Sequence, residues 1–328
     1  MRKNILFIYP ELWSFVACDK AILEEIHTVL PFSYRPSKSL IKNIFSQFRL
    51  LVFLMKNIRR ADAVFIWFAD YHSFLPILVF NTLSKKTYLA LGGYDVTYIP
   101  KIKYGAFSNP LRSFCAGFSI KNANVLLPVD ESLAVMAKKK LGKINGTSEV
   151  VYFGFDSKDW YCDTTKENMV LTVANIKDMQ TYYRKGIDFY VEVARLLPQF
   201  KFIIIGLSPS LNIDNKPTNV ELIPKMERPL LRGFYSRARV YAQFSIHEGL
   251  PNVLCEAMMC ECVPVGTNIC GIPTGIGQTG FIVNNVEEAQ MAIIKAMDDK
   301  TKGKAARERI LQYFNLSTRK EKLFELLG

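Results

Sequence analysis

The sequence predicts an α/β protein made of two tandem Rossmann-like domains, and three observations carry that prediction. Short apolar runs of strand length alternate with helical patterns, the signature of a parallel sheet covered by helices. The alternation restarts after Gly154-Phe-Asp156. The length, 328 residues, is about twice that of an ordinary domain.

In the first half, strands are expected at residues 5–9, 63–68, 87–91, 124–128 and 150–153, each a run of β-formers bounded by polar or turn residues. Helices are expected at 20–30, 37–60 and 131–141, where apolar residues recur every three to four positions. In the second half the strands fall at 169–175, 202–206, 220–223, 240–244, 262–267 and 280–283, with helices at 187–197 and 252–260 among others. A last helix, 318–327, follows a break at 315–317. The expected organisation is a first domain over 1–154, a second over 155–314, and a terminal helix over 315–328 that crosses back to the first. Ligands of open α/β sheets bind outside the carboxyl ends of the strands, so a cleft between two such domains is the expected site.

Hydrophobic residues at 49% and charged residues at 22% describe an ordinary globular chain. Wholly apolar runs such as 50–55 and 63–69 fall far short of the roughly 20 residues of a spanning helix. No signal-like segment opens the sequence, so a cytoplasmic protein is expected, soluble or peripheral on the inner face of the plasma membrane. Seven cysteines fit reduced thiols, and Cys260-x-Cys262 alone does not make a zinc site. Charge is uneven: residues 1–154 hold 20 Lys and Arg against 10 Asp and Glu, whereas 155–328 hold 22 against 20. Without a nucleic-acid motif, the basic first half points to an anionic membrane surface or a phosphorylated acceptor rather than nucleic acid.

The most informative segment is Ser245-Ile-His-Glu-Gly-Leu-Pro-Asn-Val-Leu-Cys-Glu-Ala-Met-Met259. It places Glu248 and Glu256 around a turn that opens a helix, with Asn252 in position to cap it and Pro251 suited to its entry. A helix N-terminus offers unpaired N–H groups and positive potential, so a diphosphate can sit there while flanking carboxylates take hydroxyl protons. That geometry suits a ligand with an anionic middle and two polyhydroxyl ends.

These residues resemble the signature of retaining glycosyltransferases of family four, which have the GT-B fold. Val263-Pro-Val-Gly-Thr, Gly271-Ile-Pro, Thr279-Gly-Phe-Ile-Val, Arg184-Lys-Gly-Ile-Asp and Gly154-Phe-Asp extend the resemblance over residues 150–315. It implies that Glu256 binds the donor ribose, that Glu248 contacts the transferred sugar, and that the backbone from Leu250 through Pro251 and Asn252 to Val253 lies near the diphosphate. It also implies that Lys185, with Arg184 beside it, neutralises leaving-group charge, a form of differential transition-state binding. The family needs no bound metal, and no Asp-x-Asp pair is present here to hold one. No cofactor is expected beyond a UDP- or GDP-linked sugar as co-substrate.

Several positions depart from the family pattern. Asn175 stands where an arginine usually joins the lysine, with Lys177 or Arg184 as the nearest substitutes, and Gly92 stands where a histidine usually touches the sugar. Gly93 and Asp95 keep the rest of that motif, and the loop from Pro10 lacks the usual glycine pair. His72 and Asp70, just past a strand end, are acceptor-side candidates or structural residues, and His247 is a neighbour of Glu248. His27, within a helical pattern, is not expected to be catalytic.

Residues 37–60 combine Leu40, Ile41, Ile44, Phe45, Phe48, Leu51, Val52 and Met55 with Lys38, Lys42, Arg49, Lys56, Arg59 and Arg60. The apolar side is expected to pack on the sheet, leaving a basic rim to meet lipid. The expected activity is transfer of a sugar from a nucleotide sugar to a growing, lipid-linked cell-surface glycan. A non-catalytic sugar-nucleotide-binding scaffold and a GT-B sugar-nucleotide epimerase are the alternatives.

Overall fold

The computed structural model describes residues 2–37 and 39–328, with the side chain of Leu40 also outside the description. The chain divides into two compact units, Met1–Tyr152 with Arg319–Gly328, and Phe153–Thr318.

The first unit runs β1 (Asn4–Tyr9), α1 (Ser14–Ile26), β2 (Thr28–Ser33), α2 (Leu40–Asn57), β3 (Ala63–Trp67), α3 (Tyr71–Thr82), β4 (Lys86–Leu91), α4 (Pro110–Asn122), β5 (Val125–Pro128), α5 (Glu131–Leu141) and β6 (Thr147–Ser148). Its sheet has the order β2-β1-β3-β4-β5-β6, and every pairing is parallel. The inner strands are mostly apolar because helices cover both faces of such a sheet. All five residues of β3 are buried.

Two expectations fail here for identifiable reasons. Residues 28–30 belong to the edge strand β2, not to the end of a helix, and α1 starts at Ser14, six residues before the expected position. Pro31 is tolerated because an edge strand needs only one side of its ladder. Residues 150–153 run beside β5, with Glu149 N–H donating to Leu126 and Val151 N–H to Pro128. Pro128 has no N–H to return a bond, so the ladder stops at β6.

The second unit runs β7 (Glu167–Ile176), α6 (Met179–Arg184), α7 (Ile187–Leu196), β8 (Lys201–Leu207), β9 (Val220–Ile223), α8 (Arg228–Arg237), β10 (Ala238–Gln243), α9 (Asn252–Met259), β11 (Val263–Thr267), α10 (Gly271–Ile276), β12 (Phe281–Val283), α11 (Val286–Asp298) and α12 (Lys302–Tyr313). Its parallel sheet has the order β12-β11-β10-β7-β8-β9. Sequence neighbours part between β7 and β10, which makes the carboxyl ends of these two strands a topological switch point. The last helix, α13 (Leu316–Leu327), starts in the second unit, and its residues from Arg319 onward belong to the first.

Among the described residues no helix is long and apolar enough to cross a membrane.

Candidate functional site

The second unit brings Arg184, Lys185 and Glu248 together at that switch point. β10 delivers the loop carrying Glu248, and α6, which follows β7, ends in Arg184-Lys185-Gly186. The two are stitched together by backbone, since Ile246 N–H donates to the Arg184 carbonyl at 3.0 Å. Gly186 makes the close approach possible: its φ is +63°, and a Cβ there would lie 1.9 Å from the Phe244 carbonyl oxygen. The glycine of the Arg-Lys-Gly turn therefore sets where Lys185 points.

Lys185 Nζ donates to Glu248 Oε1 at 2.5 Å, and Arg184 lies 3.9 Å from the same oxygen. Ser245 Oγ donates to it at 2.8 Å. Behind Ser245 runs a buried polar chain, with Tyr241 Oη donating to Gln243 Oε1 at 3.2 Å and Gln243 Nε2 to Ser245 Oγ at 2.7 Å. Burial pulls the Glu248 carboxyl upward, but Lys185, Arg184 and these hydrogen bonds outweigh it and hold the group below its usual range. Burial lowers Lys185, against the pull of Glu248. The result is an ionised carboxylate in a polar cradle with two cations beside it.

The sequence assigns no role to Gln243 or Ser245, yet a signal exists. Tyr241, Gln243 and Ser245 alternate with Val240, Ala242 and Phe244 along the strand and its exit, so they share one face.

α9 begins at Asn252 with Pro251 in the capping position and no side-chain cap. The expected Asn252 cap is thus one residue out of place, because Pro251 takes the extended conformation of the cap itself. Pro251 brings no N–H, so the donors of this turn come from Leu250, Asn252 and Val253. Gly271 N–H donates to the Gly249 carbonyl at 3.0 Å and ties the turn to the start of α10.

Glu256, one turn further along α9, is 3% exposed. Its Oε1 accepts from Arg228 Nε and Nη2 at 3.0 and 2.6 Å, and Oε2 accepts from Tyr235 Oη at 3.4 Å. Burial raises this carboxyl and Arg228 opposes the rise. Arg228, the first residue of α8, lies over the Trp160 ring at 5.0 Å. Neither Arg228 nor Trp160 carries a sequence signal, since they reach Glu256 only through the fold.

Asn175 is exposed near the carboxyl end of β7, where the pairing with β8 shifts register. His247 is buried and faces Cys270, its Nδ1 3.5 Å from Sγ. A cavity of about 280 Å³ opens beside the site, bordered by Gly186, Phe189, Phe244 and Thr267. A larger groove of about 730 Å³ lies at the amino ends of β8 and β9, the wrong end of the sheet for this site.

The acceptor-side candidates lie in the first unit. Asp95 is fully buried, accepting from Gly93 N–H at 2.8 Å, Gly92 N–H at 3.1 Å and Ala69 N–H at 3.4 Å. Burial lifts its carboxyl to about 6, partly offset by these bonds. Gly93, with φ +117°, supplies the turn that lets them form.

His72 is fully buried and its Nε2 donates to the Trp67 carbonyl at 2.8 Å, the setting of a structural histidine. His27 caps the carboxyl end of α1 and does not lie inside a helix. Asp70 caps α3 and pairs with Arg112 at 3.0 Å, and Arg112 stacks on the Tyr71 and Tyr94 rings at 5.0 and 5.7 Å. Sequence reading did not single out Arg112.

The Gly92 departure has a physical cause. A Cβ at this position would meet Phe68 Cε1 at 2.2 Å. Phe68, held at φ +68°, packs with Trp13 at 5.6 Å and Trp67 at 5.3 Å. Aromatic rings thus fill the space that a side chain at 92 would need, and Trp13 comes from the glycine-poor first loop.

Comparison with known proteins agrees with this architecture. Residues 167–299 match the family described as Glycosyl transferases group 1. No curated protein matches the chain by sequence. Among solved structures, the sucrose-phosphate synthase of Thermosynechococcus elongatus is similar with a TM-score of 0.82 at 15% identity, over 99% of this chain and 98% of that one. A glycosyltransferase of Rickettsia africae gives 0.70 at 15% identity over 99% and 97%. Anabaena HepE in complex with UDP and glucose gives 0.69 at 15% identity over 99% of each chain. The chain therefore has the two-sheet α/β fold of the GT-B glycosyltransferases, and its second half matches group 1 of those enzymes in sequence.

Proposed function

We propose that this protein is a metal-independent, retaining glycosyltransferase that moves a hexose from a UDP- or GDP-linked donor to a growing, lipid-linked cell-surface glycan. The observation that carries the reading is the Lys185–Glu248 pair beside the uncapped start of α9. The free N–H groups of that turn and the cations Lys185 and Arg184 are suited to a diphosphate, and Glu248 to a hydroxyl of the transferred sugar. Charge developing on the departing nucleoside diphosphate is stabilised by Lys185 more than the ground state is, which accelerates transfer. Glu256 takes the ribose hydroxyls, with Arg228 opposing the rise that burial imposes on its carboxyl.

Structural neighbours described with UDP and with UDP-glucose favour a uridine donor. The net basic character of the first half supports an anionic, lipid-linked acceptor and a peripheral position on the inner face of the plasma membrane. Among the described residues no group of three or more His, Cys, Asp or Glu is placed to hold a metal. Transfer unaffected by a chelator would test metal independence directly.

The test of the whole reading is a thermal-shift panel of UDP-, GDP- and ADP-sugars followed by radiolabelled-donor turnover with membrane extract as acceptor. Stabilisation by one nucleotide-sugar class with turnover supports it, and turnover unchanged in Glu248→Gln contradicts the site. A second reading, a non-catalytic sugar-nucleotide-binding scaffold, draws on the closed space at Gly92 and on Asn175. Binding without hydrolysis or transfer would favour it.

A further inference from the structure

Helix α2 is apolar on the wrong side. Its inner face buries Leu50, Leu54 and Asn57, and Asn57 Nδ2 donates to the Phe53 carbonyl at 2.7 Å. Its outer face exposes Ile41, Ile44, Phe45, Phe48 and Met55, between 61 and 79% each. The sequence suggested that these side chains pack on the sheet, and the structure places them in solvent.

At helical spacing, Ile41, Ile44, Phe45, Phe48, Val52 and Met55 fall within a sector of about 100°. A contiguous apolar stripe of this kind marks an interaction surface. Lys42, Arg49 and Lys56, all exposed, lie along one flank of the stripe. Arg59 and Arg60 follow the helix and are exposed as well. From residue 26 to 61 the chain carries seven Lys and Arg and no Asp or Glu. One of the seven, Lys38, lies outside the described residues, as does the Leu40 side chain.

We propose that the outer face of α2 docks the protein on an anionic lipid surface, with the aromatic and aliphatic stripe entering the headgroup boundary and the basic flank meeting lipid phosphates. Charge decides between occupants. A second copy of the chain would bring the same basic flank against itself, whereas an anionic bilayer satisfies both the stripe and the flank. The docking surface stands independently of the transfer reaction, because no α2 residue belongs to the site in the second unit.

The experiment is sedimentation of the full chain with phosphatidylcholine vesicles, with and without phosphatidylglycerol. Binding is expected to the anionic vesicles and to weaken as salt rises. Phe45→Ser with Phe48→Ser should lower that binding by about tenfold or more. Lys42→Glu with Arg49→Glu and Lys56→Glu should abolish the preference for anionic over neutral vesicles. The substituted side chains are exposed, so an unchanged melting temperature verifies that the variants are folded. Failure of the wild-type chain to bind, or equal binding by the serine variant, overturns the proposal. So does a wild-type dimer in ultracentrifugation that the serine variant dissociates.

Discussion

Arg319 grips Asp19 with two hydrogen bonds, Nε to Oδ1 at 2.6 Å and Nη2 to Oδ2 at 2.7 Å, and both residues are buried within the first unit. Trp67 Nε1 also donates to Asp19 at 3.1 Å, and Arg319 Nη1 donates to the Val151 carbonyl at 2.8 Å. Removing either partner leaves a buried charge uncompensated, which costs about 3–5 kcal/mol. Asp19→Ala and Arg319→Ala should each lower the stability of the first unit by that amount in urea titrations, and the double variant should lose less than the sum of the two. Additive losses would contradict the coupling.

The Lys185–Glu248 pair predicts unequal effects on binding and turnover. Lys185→Ala should reduce donor turnover by about a hundredfold or more, as loss of a transition-state charge contact does. Glu248→Gln keeps the shape of the cradle and should leave the melting temperature within a few degrees of wild type while sharply reducing transfer. Steady-state kinetics beside calorimetry separates the two effects.

Asp95 predicts a pH effect of definite sign. Its folded-state value of about 6 lies above the ordinary 3.8. The native state therefore binds more protons than the unfolded state between these values, and the Asp95 contribution to stability falls as pH rises through that window. It is fully present below about pH 4 and is lost as pH rises through about 6, a span of at most about 3 kcal/mol. The difference in unfolding free energy between wild type and Asp95→Asn, followed from pH 4 to 7, should show this slope. A flat difference would refute the assignment.

Gly92 and Phe68 form a steric pair. Gly92→Ala should destabilise the first unit by about 1–3 kcal/mol through overpacking against the ring. Phe68→Ala introduced with it should recover part of that loss, so the double-mutant cycle should show coupling and not addition. Thermal unfolding of the four proteins measures it.

How much of this was legible depended on what each residue answers to. The inner strands of the second unit were readable because parallel strands buried on both faces are continuous apolar runs, and residues 202–206 fall inside β8 for that reason. β2 was not readable, since an edge strand with Pro31 at its centre is only half buried. Glu248 and Lys185 were visible as local motifs around a helix start and a glycine turn. Arg228 and Trp160 were invisible, because they meet Glu256 only when elements distant in sequence are packed. The exposure of α2 was hidden for a related reason: periodicity reports that a helix has an apolar face, not which way the face points.

The terminal helix has a consequence for the order of assembly. The second unit is continuous in sequence. The first is split, and Asp19 must wait for a guanidinium 300 positions later. A polypeptide emerging from the ribosome therefore holds an unfinished first unit until the whole second unit has been made. Loss of the last ten residues would leave the switch-point site untouched in sequence and strike instead at the unit where the chain began.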